Sequence, residues 1–186
     1  MKSEKEKMLA GELYHASDEI LAKERLEARI TLQKFNSSKT DETEERARLL
    51  KKLIGKAGQE LWIEPPFYCD YGYNIELGDQ VYFNFNCVLL DVNPIRIGDF
   101  TLVGPQVQIY TATHPLDWKT RSKGLEFAKP VIIGDHVWIG GGSIVNPGIS
   151  IGSRSIIGSG SVVTKDIPAD VFAAGNPCRV IRKLAS

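Results

Sequence analysis

The second half of the chain repeats every six residues, and this period constrains its fold more than any other feature. One position of each unit is aliphatic without a break, in Ile133, Ile139, Val145, Ile151, Ile157 and Val163. The residue four places further on is small or aliphatic in every unit, as at Val137 and Ser143. A period of six matches neither the 3.6-residue helix nor simple strand alternation, and a short fixed period is typical of a solenoid.

The same period occurs upstream, at Ile97, Val103 and Ile109, and earlier at Leu77, Phe83 and Leu89. Short strands joined by tight turns would form three-sided rungs of roughly eighteen residues, with each aliphatic residue pointing inward. The sequence therefore predicts a parallel β-helix. The alternative, a flat antiparallel meander, needs period-two alternation and hairpin dipeptides, which are absent. A glycine after the aliphatic position, as at Gly98, suits a turn with positive φ or a close backbone approach.

The composition changes near Gly58 and divides the chain into two parts. Residues 1–58 contain 24 of the 46 charged residues, only three of the 17 glycines and none of the nine prolines. We predict an N-terminal helical cap over 1–58 and the β-helix over 59–186.

Two helices are expected in the N-terminal part. The first should run from about Asp18 to Phe35. The second is amphipathic, and Asp41 with Glu44 three residues later predicts a capping-box start. Gly58 is the predicted stop of this second helix.

Charge and cysteine content exclude several classes. The 23 basic and 23 acidic residues balance, which argues against a generic nucleic-acid binder. Cys69, Cys87 and Cys178 are too few and too scattered for a disulfide framework. The sequence also lacks a Cys-x-x-Cys pair, which would indicate a zinc site. The long uncharged stretch 137–153 contains five glycines, which is wrong for a membrane span. We expect a cytoplasmic protein without nucleic-acid or membrane partners.

His114 is the most informative of the three histidines. His15 lies in a polar region and is interpreted as exposed, and His136 is interpreted as structural. His114 ends a rung, after which the repeat stops over a polar loop, 115–131, and then resumes. A loop of this length leaving a solenoid is usually functional. Imidazole can act as a general base near neutral pH, although an ordinary surface histidine remains the alternative.

Several motifs carry a resemblance to a known family. The hexads that begin at Ile133, Ile139 and Ile151 resemble the hexapeptide-repeat acyltransferases. The runs 8–14 (MLAGELY) and 173–182 (AAGNPCRVIR), with Thr113-His114-Pro115 before the loop, are similar to the maltose and galactoside O-acetyltransferases. The resemblance implies an all-β left-handed parallel β-helix with an α-helical cap. It also implies a homotrimer with active sites between subunits.

The resemblance further implies an enzyme that acetylates a sugar hydroxyl of the maltose or glucose type, with acetyl-CoA as co-substrate and no metal. His114 would be the general base in a direct attack without a covalent intermediate. Asn84 would orient the acceptor or stabilise the transition state. The backbone N–H of Gly141 would bind the oxyanion, and the absence of a Cβ there would let the thioester approach.

The binding residues follow from the same resemblance. The acceptor side would comprise Asp70, Tyr82, Asp91 and Glu126, with Asp18 a further candidate. The donor side would comprise Trp138, Gly141, Ser159, Thr164, Lys165, Arg179 and Arg182. Trp138 could instead be a core aromatic. Galactoside-specific members tend to carry a second acid after Asp91, and Val92 at that position favours glucose or maltose.

Other functions remain open at this stage. An acetyltransferase for galactosides, serine or an antibiotic would use the same chemistry on another acceptor. A metal-dependent carbonic anhydrase would need three histidine ligands per ion, and the predicted coil has only His114 and His136. A scaffold without catalytic activity is the third possibility, because a fold does not determine a function.

Overall fold

The protein is a three-sided parallel β-helix with helices over one end, as seen in a computed structural model that describes residues 1–185. Each turn of the coil passes through three short strands, and each strand pairs in parallel with the strand one turn away. The predicted parallel β-helix with an N-terminal helical cap is confirmed.

The N-terminal elements come first in the chain and include a helix that the sequence reading missed. They are α1 (Glu4–Leu9), β1 (Tyr14–His15), α2 (Glu19–Asn36) and α3 (Thr43–Leu53). The missed helix, α1, starts with a capping box in which Ser3 and Glu6 bond each other's backbone.

The strands of the coil form three faces, numbered in the order in which the chain visits them. Face 1 contains β2 (Lys56–Ala57), β5 (Ile75–Leu77), β8 (Ile95–Ile97), β13 (Val131–Ile133) and β16 (Ser150–Ile151). Face 2 contains β3 (Trp62–Ile63), β6 (Tyr82–Phe83), β9 (Leu102–Val103), β14 (Trp138–Ile139), β17 (Ile156–Ile157), β19 (Val171–Ala174) and the antiparallel β20 (Arg179–Lys183). Face 3 contains β4 (Phe67–Cys69), β7 (Cys87–Leu90), β10 (Gln108–Tyr110), β15 (Ile144–Val145) and β18 (Val162–Val163).

The repeated aliphatic residues form the interior of the coil. On face 1, Ile97, Ile133 and Ile151 lie in register on successive turns and are buried. The small residues four places further on lie at the corners and are also buried, where hydroxyls bond to backbone, as Thr101 Oγ1 does to the carbonyl oxygen of Gly134 at 3.0 Å. The interior thus leaves no unsatisfied side-chain polar atom among residues 1–185.

The glycine after the aliphatic position serves close stacking rather than positive φ. A Cβ on Gly98 would lie 2.8 Å from the carbonyl carbon of Gly134 on the next turn. Positive φ occurs instead two residues later, at Phe100 (+56°) and His136 (+54°). Gly98 is therefore explained by the close approach of the backbone of the next turn and not by a positive φ.

Helices α2 and α3 cover the open end of the coil. Leu32, Phe35 and Leu50 are buried in one cluster with the coil interior. The amide of Asn36 both donates to the carbonyl oxygen of Phe67 and accepts its N–H, each at 2.9 Å. This pairing gives Phe67, in the edge strand β4 of face 3, the two backbone partners that a further strand would supply.

The bounds of α2 confirm the first predicted helix, and those of α3 correct the second. The start of α3 has no side-chain cap, so the predicted capping box at Asp41 and Glu44 is wrong. The helix ends at Leu53, so Gly58 is not its stop. Gly58 already belongs to the coil, where its N–H donates to the carbonyl oxygen of Leu77.

The loop 115–131 contains regular structure. It follows β11 (Ala112–Thr113) and holds α4 (Trp118–Arg121) and β12 (Leu125–Ala128). Strand β12 pairs antiparallel with both β11 and β1, so the N-terminus and the loop form one small sheet. Met8, Tyr14, Val92 and Ala128 belong to a second buried cluster beneath this sheet.

All three cysteines are free and buried, as expected for small apolar side chains. None of the helices within residues 1–185 is both long and apolar enough to cross a membrane.

Adjacent residues of β13 give a test of the inward stacking. Ile133 points inward and is 2% exposed, whereas Ile132 points outward and is 45% exposed. Ile133→Ala should lower the free energy of unfolding by about 2–5 kcal/mol because it leaves a cavity, and Ile132→Ala should change it by less than about 0.5 kcal/mol. Urea unfolding measures both, and equal losses would contradict the assignment of inward and outward positions.

Candidate active site

Three predicted site residues follow strands of face 3 on successive turns. Asp70 follows β4, Asp91 follows β7, and His114 follows the extension of β10 through β11. Because β4 and β7 are paired in parallel, Asp70 and Asp91 lie on successive turns at the corner between faces 3 and 1. His114 lies beyond the equivalent position of the next turn, and its contact with Glu126, whose charge also acts on Asp70, places it near this corner. The coil therefore brings together residues that lie about twenty positions apart in sequence.

His114 lies beside the carboxylate of Glu126, which a hydrogen bond from Tyr14 keeps in place. Its imidazole is about half exposed, and Nε2 lies 3.8 Å from Oε2 of Glu126, whose side chain is only 16% exposed. The other oxygen of Glu126 accepts a hydrogen bond from the Tyr14 hydroxyl. Burial, followed by this contact, raises the pKa of Tyr14, so its hydroxyl stays protonated as the donor. The three side chains form a chain from the interior to an accessible imidazole.

Asp70 lies next to this chain. Burial raises the pKa of its carboxyl, and the nearby positive charge of Arg25 partly offsets that effect. Arg25 is itself held by the Tyr71 hydroxyl and the carbonyl oxygen of Ala16, both at 2.6 Å. Helix α2 thus supplies a fixed guanidinium to the corner.

Asp91 occupies a different position from the one expected of an acceptor ligand. Its side chain is fully buried, and its oxygens accept the backbone N–H groups of Asp70, Tyr71 and Gly72 at 2.7–2.9 Å. Burial raises its pKa to about 7, although these donors act in the opposite direction. In this chain Asp91 shapes the turn that carries Asp70.

Asp18 is also occupied elsewhere. Its carboxylate caps α2 by accepting the N–H groups of Ile20 and Leu21 at 3.1 and 3.2 Å. An aspartate is a preferred residue at this N-cap position, so its presence does not require a role in binding the acetyl acceptor.

A second group of predicted residues lies on face 2 and at its corner with face 3. Tyr82 and Trp138 point outward from face 2, two turns apart. Trp138 is 53% exposed, which excludes the core alternative. Asn84 follows β6, and its Oδ1 accepts the N–H of Phe85 at 2.7 Å, which leaves the side-chain NH₂ as a donor.

The backbone at Gly141 offers a second donor at the same corner. Its carbonyl oxygen accepts from Gly160, but its N–H has no acceptor among residues 1–185. A Cβ on Gly141 would face Pro105 at 3.1 Å. The absent side chain therefore relates to packing against Pro105, and the free N–H is the feature suited to an oxyanion.

The predicted donor-side residues near the C-terminal end are accessible. Ser159, Thr164, Lys165, Arg179 and Arg182 are all exposed. No acidic partner lies within 4.0 Å of Lys165, Arg179 or Arg182 in the part of the chain that the structure describes. The Arg182 guanidinium lies 6.0 Å from the ring centre of Phe172. Free guanidinium and ammonium groups suit phosphate groups.

The two groups do not meet within one chain. Asn84 and Asp91 are separated by the width of face 3, seven residues that can span on the order of 20 Å. His114, Asp70 and Glu126 lie at one edge of that face, and Asn84, Trp138 and Gly141 lie at or beyond the other.

Two site residues were missing from the sequence reading. Tyr14 was part of a recognised motif, but its contact with Glu126 spans 112 positions. Arg25 is one of many charged residues on α2, and only the packing of α2 distinguishes it. Glu126 was predicted to bind the acceptor, and the structure places it against His114.

Comparison with known proteins identifies the family. The model described as the maltose acetyltransferase hexapeptide capping motif matches residues 7–58, and the bacterial transferase hexapeptide model matches residues 130–165. The galactoside O-acetyltransferase of Escherichia coli is 42% identical over 179 residues, which cover 96% of this chain and 88% of that protein. The chain belongs to the maltose and galactoside O-acetyltransferase family. It is an acyltransferase.

Solved structures agree with this membership. A maltose O-acetyltransferase from Clostridium difficile 630 superposes with a TM-score of 0.98 at 50% identity, covering 100% of this chain and 99% of that one. A galactoside acetyltransferase in complex with coenzyme A gives a TM-score of 0.96 at 40% identity, covering 100% and 92%. The family resemblance read from the motifs is confirmed.

The carbonic anhydrase alternative has no support within one chain. Within residues 1–185 no group of three or more His, Cys, Asp or Glu side chains is arranged to hold a metal. His136 stacks on Phe100, with ring centres 4.9 Å apart, at the corner between faces 1 and 2. It therefore lies away from His114.

Asp91 predicts a pH dependence of stability. Its pKa of about 7 exceeds the ordinary 3.8, so between these pH values the folded chain holds a proton that the unfolded chain has released. The bound proton therefore stabilises the folded chain at low pH, and this stabilisation is lost as pH rises to 7. Over that range the free energy of unfolding should fall by up to about 1.4 kcal/mol per pH unit. Asp91→Asn should reduce that decline in urea unfolding between pH 5 and 7.5.

Asp99→Asn is the matched control. The Asp99 carboxylate also accepts a backbone N–H, from Asp79 at 2.8 Å, but it is not fully buried. This variant should keep the decline of the parent protein. The same pH dependence in all three proteins would contradict the assignment to Asp91.

Proposed function

We propose that this acyltransferase moves the acetyl group of acetyl-CoA to a hydroxyl of a sugar, of the glucose or maltose type. The observation that carries the proposal is the accessible imidazole of His114 beside the largely shielded Glu126 carboxylate, in a chain of this family. The names of its relatives support the same class of acceptor.

His114 is the proposed general base. It takes the proton of the sugar hydroxyl while the oxygen attacks the thioester carbonyl. The tetrahedral intermediate then collapses, the C–S bond breaks, and His114 returns the proton to the sulfur of CoA. Glu126, held by Tyr14, stabilises the imidazolium that exists between these steps.

The oxyanion requires donors. The free N–H of Gly141 is the proposed main donor, with the NH₂ group of Asn84 beside the acceptor or the transition state. One such donor is worth roughly 3 kcal/mol. Neither Cys87 nor Cys178 is needed as a nucleophile, and burial raises the pKa of both thiols, which disfavours the reactive thiolate.

Acetyl-CoA would lie along the C-terminal half of the coil. Trp138 would pack on the thioester or pantetheine arm, and Ser159, Thr164 and Lys165 would lie along the pantetheine and adenine. Arg179 and Arg182 would meet the phosphates. The coenzyme A complex of the similar galactoside acetyltransferase supports this class of donor.

A homotrimer is the proposed assembly. Face 2 presents an outward row of apolar side chains, Trp62, Tyr82, Leu102, Trp138, Ile156 and Phe172. Face 3 is also largely apolar, with Tyr68, Val88, Ile144 and Val162. Face 1 instead carries Lys56 and an ion pair between Glu76 and Arg96.

Two different apolar faces and one charged face fit a closed ring. Face 2 of one copy would lie against face 3 of the next around a three-fold axis, the number of copies that the family resemblance implies. The packing would bring Asn84, Trp138 and Gly141 of one copy towards His114 of its neighbour. A complete site would then require two chains.

The acceptor side would be formed by Asp70, Tyr82 and Glu126, with Arg25 added by the structure. Val92 is buried with Met8 and Tyr14, so this position offers no charge to a galactoside. We also propose a cytoplasmic location, for which the free cysteines and a CoA-thioester donor are suited.

The central test is acetyl-CoA turnover with a panel of acceptors: glucose, maltose, a galactoside, serine and an aminoglycoside, followed by thiol release. Glucose or maltose should be the best acceptor. His114→Asn should lower turnover by about a hundredfold or more and leave acetyl-CoA binding nearly unchanged. His136→Asn is the control and should keep activity, because asparagine tolerates the positive φ at that position. No turnover with any sugar would reject the function, and full activity of His114→Asn would reject the base.

Mixed oligomers test the shared site. His114→Asn and Asn84→Ala should each be nearly inactive alone. Co-expressed in equal amounts, they should recover about one quarter of the parent activity, because random assortment gives that fraction of sites both native residues. No recovery in verified mixed oligomers would place both residues in the same chain.

A further inference from the structure

The backbone N–H groups at the two corners of face 2 are used differently. At the corner between faces 1 and 2, the residue two places after an inward aliphatic residue donates its N–H to the side chain of the equivalent residue on the next turn. Asp79 donates to Asp99 at 2.8 Å, and Asp99 donates to Asp135 at 3.0 Å. Asp135 donates in the same way to the hydroxyl of Ser153 at 3.0 Å. These N–H groups are therefore engaged within the coil.

The corner between faces 2 and 3 departs from this pattern at Gly141. On the earlier turns, the N–H of Phe85 is accepted by the side chain of Asn84 at 2.7 Å, and Pro105 has no N–H. Gly141 is the equivalent residue of the next turn, and Ser159 is its equivalent on the turn after that. The N–H of Gly141 nevertheless has no acceptor within residues 1–185. One backbone donor of this corner thus stays available, at the position proposed for the oxyanion.

Gly104 lies directly against this donor from the preceding turn. Its own N–H donates to the carbonyl oxygen of Ile139 at 2.8 Å, which joins the two turns. A Cβ on Gly104 would lie 2.6 Å from the backbone nitrogen of Gly141, closer than a side-chain carbon approaches a backbone nitrogen in folded proteins. The absence of a side chain at Gly104 therefore allows the nitrogen of Gly141 to occupy its place in the corner.

A buried thiol holds the carbonyl group of Gly104. Sγ of Cys87 is fully buried and lies 3.3 Å from the carbonyl oxygen of Gly104 and 3.2 Å from that of Asn84. Burial raises the pKa of this thiol to about 11, so it stays protonated and can donate. Two turns later, the hydroxyl of Ser143 donates to the carbonyl oxygen of Gly158 at 3.2 Å in the same arrangement. A hydroxyl can therefore take the place of the thiol.

A backbone donor depends on its surroundings for its position. It has to lie about 2.7–3.1 Å from the oxyanion, and a misplacement of about 1 Å can lower the rate by a hundredfold. A side-chain donor can adjust by changing its rotamer, but a peptide N–H moves only with the chain. The contacts of the turn that carries Gly141 therefore determine how well its N–H meets the oxyanion.

We propose that Gly104 and Cys87 are positioning residues for acetyl transfer. Gly104 sets where the N–H of Gly141 meets the oxyanion, and Cys87 keeps the backbone of Gly104 in place. The inference rests on the proposed function and adds two residues to the same site. Neither residue touches the reacting atoms.

Gly104→Ala tests the close contact. The added methyl group should displace the nitrogen of Gly141 and lower kcat with glucose by about tenfold to a hundredfold, while the KM for acetyl-CoA stays within about twofold. Steady-state kinetics by thiol release measure both values, and thermal unfolding measures the accompanying loss of stability.

Gly98→Ala is the matched control. A Cβ on Gly98 would lie 2.7 Å from the backbone nitrogen of Asp135, so the same substitution makes the same close contact at the corner between faces 1 and 2. The N–H of Asp135 is bonded within the coil and has no role in the transfer. This variant should lose a similar amount of thermal stability and keep kcat within about threefold of the parent.

Cys87 provides a second pair of variants. Cys87→Ala removes the donor to the carbonyl oxygen of Gly104 and should lower kcat by about fivefold. Cys87→Ser keeps a donor, as Ser143 does in the same arrangement, and should have the kcat of the parent. Equal kcat in the two variants would overturn the role of Cys87.

Gly141→Pro shows whether Gly104 acts through the N–H of Gly141. Proline already occupies the equivalent position of the preceding turn, at Pro105, and it removes the N–H. This variant should lose about a hundredfold in kcat. Adding Gly104→Ala should lower kcat by no more than about twofold further, because the two changes remove the same interaction.

Two results would overturn the role of Gly104 and leave the proposed function intact. They are equal kcat in Gly104→Ala and Gly98→Ala, and a full further loss of kcat when Gly104→Ala is added to Gly141→Pro. Parent-like kcat in Gly141→Pro would reject both the oxyanion donor and this inference, whereas no turnover with any sugar would reject the proposed function itself.

Discussion

The stacking of inward aliphatic side chains, locked by parallel backbone hydrogen bonds between turns, is the constraint on which the rest of the structure depends. It repeats the same corner at every turn, so residues that follow equivalent strands collect there without any local sequence signal. Asp70 and Asp91 are brought to one corner in this way, and His114 follows on the next turn after β11. The register of the coil is the same before and after the loop 115–131. Val131, where the coil resumes, pairs with Ile95 on the preceding turn.

The helical cap and the loop add a second interaction to this frame. Strand β1 pairs with the loop, and Asn93 binds the carbonyl oxygens of Met8 and Leu9 at 3.0 Å, which ties the N-terminus to the coil. The cap therefore does more than cover an open end. It places the Tyr14 hydroxyl on Glu126 and the Arg25 guanidinium beside Asp70.

Much of the fold and of the candidate site could be predicted from the sequence. The features that could not be predicted share one physical cause. The hexads predicted the coil, the interruption after His114 predicted the loop, and the motifs predicted the family. The starts of α1 and α3, the burial of Asp91 and the use of Asp18 as a cap were missed or misplaced. Each of these depends on where one side chain points within a turn, and a turn residue can face the backbone or solvent with nearly the same sequence around it.

The sequence by itself determined a three-sided coil with a histidine at its one long interruption, because the period of inward residues is a local property of the chain. The tertiary structure decided what surrounds that histidine. Tyr14, Glu126 and Asp70 come from segments far apart, and only the pairing of β1 with β12 and the docking of α2 set their distances. It also placed Asn84, Trp138 and Gly141 across face 3 from His114, because the direction of each side chain follows from the pleat and the corner it occupies rather than from its spacing in the sequence.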